Sequence, residues 1–277
     1  MRIGVIAHRR WPAALGPLMS EAARLLVEWG VDVEAVHPEE SSGDVAALGR
    51  ECDLYLLEAR SDLALSLAGA LEADDATIVN PPAVAVTCRD RLVATRILQR
   101  AGVPVPASYA VAHAGKLAPL LEDGPLLVTP WGACAGGGSR LVRDIDELDA
   151  MTDVASPVFA QRHDARDARL RSIACVGGQL FGVERGWPDD EGYEPFPLTP
   201  DLCELALRAG RAFGMELFGV DLSMSDGRPH VTEVSSVPRL SSVPDGALRL
   251  ADYAYDAVRR VVSDEPLRTV ARGAGAL

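Results

Sequence analysis

The sequence is poor in lysine, in positive charge and in long apolar runs, and each shortage excludes a class of function. Lys116 is its only lysine among 27 basic residues, against 40 acidic ones. The net charge of −13 argues against nucleic acid as a partner, because binding to its backbone depends on clustered Lys and Arg. No apolar run approaches the length of a membrane span, so we expect no membrane partner. The N-terminal residues also lack the apolar core of a signal peptide, which predicts a cytoplasmic protein.

Cysteine is scarce, odd in number and scattered along the chain. The five residues form no CxxC pair, which favours reduced thiols over a disulfide framework or a zinc site. No Ser/His/Asp or Cys/His constellation stands out, so we expect the five histidines and the cysteines to be structural. The cysteines are Cys52, Cys88, Cys134, Cys175 and Cys203.

Strands alternate with helices in the first 82 residues, which predicts a parallel α/β layer. The first strand–helix turn has no GxGxxG, so a dinucleotide-binding fingerprint is not supported. His8, Arg9 and Arg10 follow the first strand, where they would either face an anionic substrate or form a solvated basic turn. The predicted strands are Ile3–Ala7, Val31–Val36, Asp53–Leu57 and Thr77–Val79, and the predicted helices begin near Leu18 and span Asp44–Cys52 and Asp62–Leu71.

A glycine-rich loop from Thr129 to Ser139 lies between two predicted strands in the middle of the chain. Backbone N–H groups of such a loop can bind phosphate oxygens. Its position, after Leu126–Val128 and before Leu141-Val142, predicts a β-hairpin lid, with a plain connecting loop as the alternative. Before the lid we expect a helix capped by Asp90, a strand at 108–111 and a short helix at 117–121. After it we expect a strand at 158–161, a charged loop at 162–171, a hairpin of 172–176 with 180–184 and a long loop at 186–200. Two helices should follow, from Thr199 or Asp201 to Phe213 and over Leu248–Val262.

The stretch FGVDLSMSDGRPHVTEVSSVP, from Phe218 to Pro238, predicts a β-hairpin. If Asp226–Arg228 form a three-residue loop, Ser225 pairs with Pro229. This register fixes which side chains of the two strands lie opposite each other.

In that register two acidic side chains share one face of the hairpin. Asp221 lies opposite Glu233, and period two places Ser235 on the same face. Opposed carboxylates repel unless a cation or a proton lies between them, and Mg²⁺ takes oxygen ligands of this kind. The alternative is a surface hairpin with two unrelated acids.

In this order the motifs resemble those of the ATP-grasp superfamily, and most closely the RimK-type carboxylate–amine ligases. The resemblance covers roughly residues 78 to 262. It rests on four groups of residues: Asn80-Pro81-Pro82 with Asp90-Arg91, Thr95 and the Gly102–Pro106 segment; Thr129-Pro130 with the glycine loop and Asp144–Leu148; Phe159-Ala160-Gln161 with Asp167–Arg171, Val176-Gly177-Gly178 and Arg185; and Gly219–Leu222 with Glu233-Val234-Ser235.

The resemblance implies an α/β (α+β) ATP-grasp fold in three parts. These are an N-terminal parallel α/β (pre-ATP-grasp) domain over 1–82, a central glycine-lid subdomain over 83–155 and a C-terminal antiparallel-sheet subdomain over 156–267. A flexible tail is expected over 268–277.

The resemblance also implies an ATP-dependent ligase that forms an amide or peptide bond through an acyl phosphate. ATP would lie between the lid and the C-terminal sheet with Mg²⁺ or Mn²⁺, and small-molecule or peptide carboxylates and amines would be the substrates. A homo-oligomer, dimer or tetramer, is expected. The implied site consists of Arg185 as the catalytic residue; Arg91, Thr129, Gly136, Gly137, Gly138, Gln161, Arg162, His163, Asp167 and Arg171 as nucleotide-binding residues; and Asp221, Glu233 and Ser235 as metal ligands.

Three residues depart from the family pattern. Arg91 and Thr129 stand where family members usually carry Lys, and Ser235 stands where they carry Asn. An arginine fork is not equivalent to an ammonium group, and a serine hydroxyl has a shorter reach than an amide. Two alternatives therefore remain beside the ligase. One is a degenerate, non-catalytic nucleotide-binding protein, and the other is a small-molecule kinase, for polyols or inositol phosphates, on the same fold.

Overall fold

The N-terminal part of the computed structural model is a parallel α/β layer, as predicted. The structure describes residues 1–8, 15–40, 51–132, 138–151, 157–164, 169–186 and 192–267. The N-terminal sheet has four strands in the order β2-β1-β3-β4. Its elements are β1 (Arg2–Ile6), α1 (Pro17–Glu28), β2 (Asp32–Val36), β3 (Leu54–Leu57), α2 (Asp62–Ala73) and β4 (Ile78–Val79). The predicted helix over Asp44–Cys52 lies almost wholly outside the described residues.

Two helices lead from this layer into the central part. In α4 (Arg91–Arg100) the Asp90 carboxylate accepts hydrogen bonds from the backbone N–H groups of Leu92 and Val93, which confirms the predicted cap. The preceding helix, α3 (Pro82–Arg89), was not predicted, because the Pro81-Pro82 pair indicated a break in regular structure. Proline is accommodated at the start of a helix, where its missing N–H would have no partner in any case.

The central sheet has four strands in the order β5-β8-β6-β7. Three of these strands precede residue 155. The fourth, Val158–Arg162, follows it, lies between two of the others and forms hydrogen bonds with both. The proposed boundary at 155/156 therefore divides a single sheet and needs correction. Residues 114–123 form 3-10 turns rather than a helix, since Pro119 lies inside them. The elements are β5 (Ser108–Val111), β6 (Leu126–Pro130), β7 (Arg140–Val142), α5 (Ile145–Asp149) and β8 (Val158–Arg162).

The C-terminal sheet has five strands in the order β11-β10-β9-β12-β13, and the pairs within it are antiparallel. The charged segment before Ser172, predicted as loop, becomes strand from Arg169 onward. Thr199 caps the following helix, as predicted, by accepting a hydrogen bond from the Leu202 N–H. The elements are β9 (Arg169–Val176), β10 (Gln179–Gly186), β11 (Glu194–Pro195), α6 (Pro200–Phe213), β12 (Leu217–Ser225), β13 (Arg228–Ser235) and α7 (Gly246–Val262).

One buried apolar cluster joins the N-terminal sheet to the C-terminal sheet through α7. Ala254 and Val258 of α7 are fully buried in it, and Trp29 at the end of α1 meets the Tyr255 ring edge-on at 5.7 Å. Because burial of apolar surface is the main favourable contribution to folding, this shared core fixes the two sheets relative to each other. None of the helices in the described part of the chain combines the length and the apolar character that crossing a membrane requires.

Asn80 connects the end of β4 to the C-terminal sheet. Its side chain is 5% exposed, and Nδ2 donates to the carbonyl oxygens of Leu217 and Ser236, each at 2.7 Å. In Asn80→Ala both carbonyls lose a donor, so the free energy of unfolding should fall by about 2 to 4 kcal/mol. Urea unfolding measures this loss. Thr87→Ala, which removes an exposed hydroxyl bonded to the Ala83 carbonyl, is the control, and an equal loss in both variants would contradict the assignment.

Candidate functional site

The β12–β13 hairpin places Asp221 opposite Glu233, as predicted, but its turn and its strand register differ from the prediction. Its turn contains two residues, Asp226 and Gly227, with φ of 49° and 74°. Ser225 therefore pairs with Arg228 rather than Pro229, and the predicted three-residue loop was wrong. Asp-Gly is a favoured sequence for a turn with positive φ at both central residues.

A β-bulge at Thr232 restores the register. Leu222 pairs with Val231 while Asp221 pairs with Glu233, so Thr232 is the extra residue of β13. The Thr232 hydroxyl donates to the Asp221 carbonyl at 3.1 Å, and Gln161 Nε2 donates to the Thr232 carbonyl at 3.2 Å. The buried Gln161 side chain thus holds the bulge from the central sheet, and bulges of this kind redirect neighbouring side chains.

Asp221, Glu233 and Ser235 line one cavity of ≈ 490 Å³, so the hairpin side chains expected to share a face do so. The opposite wall comes from residues that follow the carboxyl ends of β1 and β3. Ligands in open α/β sheets bind beyond these ends. Two basic residues of the lining, His8 and Arg60, lie there. The polar and charged lining also includes His8, Glu58, Arg60, Ser172, Ser236, Arg239 and Ser241.

Arg91 lies against this acidic pair. Its Nη2 is 2.6 Å from Glu233 Oε2, and the two side chains are only 12% and 14% exposed. Burial raises the pKa of the Glu233 carboxyl; the Arg91 guanidinium opposes this shift and the Asp221 carboxylate adds to it. The charges of Arg60 and Arg239 also lower this pKa, but burial and the second acid outweigh the arginines, so the pKa of Glu233 is raised overall. Ser172 Oγ donates to Asp221 and fixes that carboxylate on the cavity wall.

Asp221 and Glu233 fit a divalent cation that keeps ligands from elsewhere. Across the described ranges, no three His, Cys, Asp or Glu residues group closely enough to hold a metal by themselves. Mg²⁺ is usually bound through one or two carboxylates and completes its octahedron with water and substrate phosphate, so a pair of acids suffices. Ser235 contributes less readily, since its Oγ donates to the Val237 carbonyl at 2.8 Å and accepts from the Val237 N–H at 3.2 Å.

Two of the predicted nucleotide-binding residues, Arg162 and His163, make hydrogen bonds within the chain. Their backbone N–H groups donate to the carbonyls of Ala107 and Pro125, and the Arg162 guanidinium donates to the carbonyls of Leu120 and Gly124. Nucleotide binding by these residues stays a prediction. Asp167, another predicted nucleotide-binding residue, lies outside the described residues.

The glycine loop is described only at its base. Thr129 is 1% exposed, and its hydroxyl is 2.9 Å from Ser139 Oγ, so a polar bond joins the two ends of the loop. A threonine buried in this way does not present a charge to a phosphate. Gly138 has a positive φ of 75°, which glycine adopts without strain, while Gly136 and Gly137 lie outside the described residues.

Arg185 and Arg171 do not line the cavity. Arg185 lies over the Tyr193 ring at 5.5 Å, and Arg171 is 3.4 Å from Glu184 on the neighbouring strand. The catalytic role of Arg185 and the nucleotide-binding role of Arg171 stay predictions. The sequence reasoning missed Arg60 and Arg239, which do line the cavity. Both directly follow segments recognised as important, namely the third strand and the Glu233–Ser235 motif, and that proximity was an available signal.

The four described cysteines are free thiols. Burial raises the pKa of the Cys88 thiol to about 12 and that of Cys175 to about 11. Both thiols are therefore protonated near neutral pH and are poor nucleophiles. Neither thiol lines the cavity.

Comparisons with known proteins agree with this geometry. No family model matches the chain. A probable alpha-L-glutamate ligase from Citrobacter koseri is 27% identical over 181 residues, which cover 58% of this chain and 60% of that protein. The ribosomal protein bS6–L-glutamate ligase of Shigella flexneri is 24% identical over 186 residues, with 60% and 61% coverage. The match thus spans about 60% of the length of these two relatives.

Solved structures cover nearly the whole chain. A RimK domain ATP-grasp protein from Sphaerobacter thermophilus superimposes with a TM-score of 0.76 at 21% identity, over 91% of this chain and 99% of its own. The D-alanine–D-alanine ligase of Bacillus anthracis gives 0.71 at 18% identity, over 96% and 100%. The chain has the ATP-grasp fold. The predicted fold class and the resemblance to RimK-type members are confirmed.

Within this ATP-grasp fold the predicted site residues separate into two groups. Arg91, Asp221, Glu233 and Ser235 come together at the cavity and its margin, although 142 positions separate Arg91 from Glu233. Gln161, Arg162 and His163, predicted to bind the nucleotide, make hydrogen bonds within the chain. The acidic end of the site is therefore assembled in the structure.

Proposed function

We propose that this protein is an ATP-dependent carboxylate–amine ligase, which forms an amide bond through an acyl phosphate. The observation that carries the proposal is the Asp221–Glu233 pair, held opposite each other on the wall of a cavity in an ATP-grasp fold. Relatives named as ligases and neighbours solved with ATP, or with magnesium and ADP, support the same activity.

The chemistry requires two transfers. A substrate carboxylate oxygen attacks the γ-phosphorus of ATP and ADP leaves; an amine nitrogen then attacks the acyl carbon and inorganic phosphate leaves, with loss of a proton from nitrogen. Asp221 and Glu233 would hold Mg²⁺ or Mn²⁺, which neutralises charge on the phosphoryl oxygens. Arg91 holds Glu233 in place at 2.6 Å, and its fixed positive charge would contribute to charge stabilisation at the acidic pair. No side-chain nucleophile is required.

The substrates are proposed as small-molecule or peptide carboxylates and amines. Several similar proteins are named for joining glutamate or D-alanine, and one neighbour was solved with a precursor peptide bound. Glutamate is therefore the first amine to test. We place the reaction in the cytoplasm, where free thiols such as the four described cysteines persist and ATP is abundant. Assembly into a homodimer or homotetramer stays a prediction.

The proposal is tested by supplying purified protein with ATP, Mg²⁺ and a panel of amino acids, small dicarboxylates, polyols and inositol phosphates. ADP release that depends on a carboxylate, together with an acyl hydroxamate trapped by hydroxylamine, is the expected result. A phosphorylated hydroxyl product that hydroxylamine does not cleave would establish a kinase instead. Absence of ADP with every pair would contradict both enzymatic assignments.

A non-catalytic nucleotide-binding role is the second candidate, and one observation favours it. The hydroxyls of Thr129 and Ser235 are both bonded within the protein, to Ser139 and Val237, at the positions where the family resemblance implies Lys and Asn. Under this alternative the wild type binds ATP without turning it over, and Thr129→Lys confers measurable ADP release. Robust turnover by the wild type would exclude it.

A further inference from the structure

Arg239 is placed in the cavity with an unmet hydrogen-bond donor. It lines the cavity wall just beyond Ser235, and its Nε is buried without an acceptor among the described residues. A buried N–H group that lacks an acceptor is costly, and such groups in native structures are usually explained by a ligand, an ion or water. The donor therefore indicates that something with an acceptor atom binds beside it.

The Arg239 side chain is held by an aromatic ring. Its Cζ lies 4.8 Å from the centroid of the Tyr193 ring, and Arg185 lies over the same ring at 5.5 Å. A guanidinium stacked on a ring keeps its edge available for hydrogen bonds. Its Nε–H and one Nη–H form a fork that matches the two oxygens of a carboxylate.

The backbone that carries Arg239 is also fixed. Ser235 bonds twice to Val237, and Arg60 Nη2 donates to the Val237 carbonyl at 3.3 Å. A Cβ added to Gly219 would lie 3.3 Å from the Pro238 Cα, so the segment rests closely on β12. Arg60 in turn accepts a bond at its carbonyl from Arg89 Nη1 at 3.4 Å. Arg60 and Arg239 thus line one cavity, and Arg60 contacts the segment that carries Arg239.

The charge balance of the cavity leaves room for an anion. Its described charged lining consists of Asp221, Glu233, Glu58, Arg60 and Arg239, with His8 at 48% side-chain exposure. In the proposed ligase the first two acids are committed to the metal and to Arg91. Arg60 and Arg239 also lie within electrostatic reach of Glu233, but with that acid committed the two arginines outnumber the remaining acid, Glu58.

We propose that Arg239, together with Arg60, forms an anion subsite that binds a carboxylate group of the substrate, so that the substrate held in this cavity is an acidic small molecule. That the bound molecule is a substrate rests on the proposed function. Binding of a carboxylate at this site does not depend on catalysis. Tyr193 is a positioning residue, which acts through Arg239.

The test measures thermal unfolding of the full chain with millimolar succinate, with its neutral diamide and with inorganic phosphate. Succinate should raise the melting temperature by mass action, and the diamide should not. In Arg239→Met the apparent affinity for succinate should fall by about tenfold or more. Arg249→Met is the matched control, because that arginine stacks on Phe181 at 4.2 Å outside the cavity, and it should bind succinate as the wild type does.

Each outcome decides the inference. Three results would overturn the inference: equal shifts with succinate and its diamide, no shift with succinate, or unchanged succinate binding in Arg239→Met. A shift with phosphate alone would also overturn it, because the ligand would then carry a phosphate rather than a carboxylate. Tyr193→Phe keeps the ring and should retain binding, whereas Tyr193→Leu should weaken it. An equal loss in both Tyr193 variants would remove the positioning role.

A separate measurement distinguishes this inference from the ligase proposal. The shift with Mg²⁺ and ATP is recorded in the same Arg239→Met protein, which also shows that the variant is folded. In the wild type, a nucleotide shift without a succinate response contradicts the subsite and leaves the ligase standing. A succinate response without any nucleotide shift in the wild type contradicts the ligase and leaves the subsite standing.

Discussion

Replacing Asp221 by Asn is expected to lower the rate of ATP-dependent amide formation by about 100-fold or more. The change removes one of two carboxylates that would hold the divalent cation, while the Asn amide oxygen can still accept the hydrogen bond from Ser172. The melting-temperature shift caused by Mg²⁺ and ATP should disappear together with turnover. Both quantities are measured on the same preparation, so that loss of binding and loss of chemistry are compared directly.

The fold itself should tolerate this change. Asp221 adds to the repulsion on buried Glu233, so its neutralisation should leave the melting temperature without ligand unchanged or slightly higher. Asp252→Asn on the exposed face of α7 is the matched control and should retain full turnover. Retention of the nucleotide-dependent shift in Asp221→Asn would show that this carboxylate is not a metal ligand.

The pairing of Asp221 with Glu233 was predictable from the sequence, but the route to it was read incompletely. Asp226-Gly227 is a strong signal for a two-residue turn, which by itself would shift the register by one residue. The compensating bulge also left a trace, since the buried Val231 and Val234 are three positions apart and break the period of two. The predicted loop was one residue too long, and the bulge, which adds one residue to β13, was not predicted. These two errors cancelled, so the predicted pairing of Asp221 with Glu233 was correct.

Contacts between distant segments could not be predicted in the same way. The Arg91–Glu233 ion pair and the Asn80 bonds to Leu217 and Ser236 join positions more than 130 residues apart. Periodicity reports which face a residue occupies and not which element covers that face. The position of Val158–Arg162 in the central sheet was missed for the same reason, because strand pairing depends on the whole sheet rather than on the strand.

Arg239 shows that only part of the candidate site could be predicted from the sequence. Its neighbours in sequence, Glu233 and Ser235, carried the motif, and the motif drew attention to acids and amides rather than to a following arginine. The unmet Nε donor and the contact with Tyr193 are properties of packing, and no pattern in the sequence announces them. The proposed carboxylate subsite therefore needed the structure, whereas the proposed metal ligands Asp221 and Glu233 could be predicted from the sequence.

Glycine at position 210 is expected to be required by the packing of α6 on the C-terminal sheet. A Cβ built at Gly210 would overlap the edge of the Phe218 ring, which is 1% exposed and has no room to move aside. Gly210→Ala should therefore lower the free energy of unfolding by about 1 to 3 kcal/mol, although alanine favours helix by about 1 kcal/mol over glycine. Urea unfolding of the purified chain measures the change.

The chain contains a matched control for this substitution. Gly69 lies inside α2, and a Cβ there would meet no atom within 4 Å. Gly69→Ala should consequently raise the free energy of unfolding by about 0.5 to 1 kcal/mol, since it restricts the unfolded chain and introduces no clash. The same substitution in two helices is thus expected to have opposite signs. A stabilised Gly210→Ala would mean that Phe218 can shift, and that the helix is not fixed against β12 by this contact.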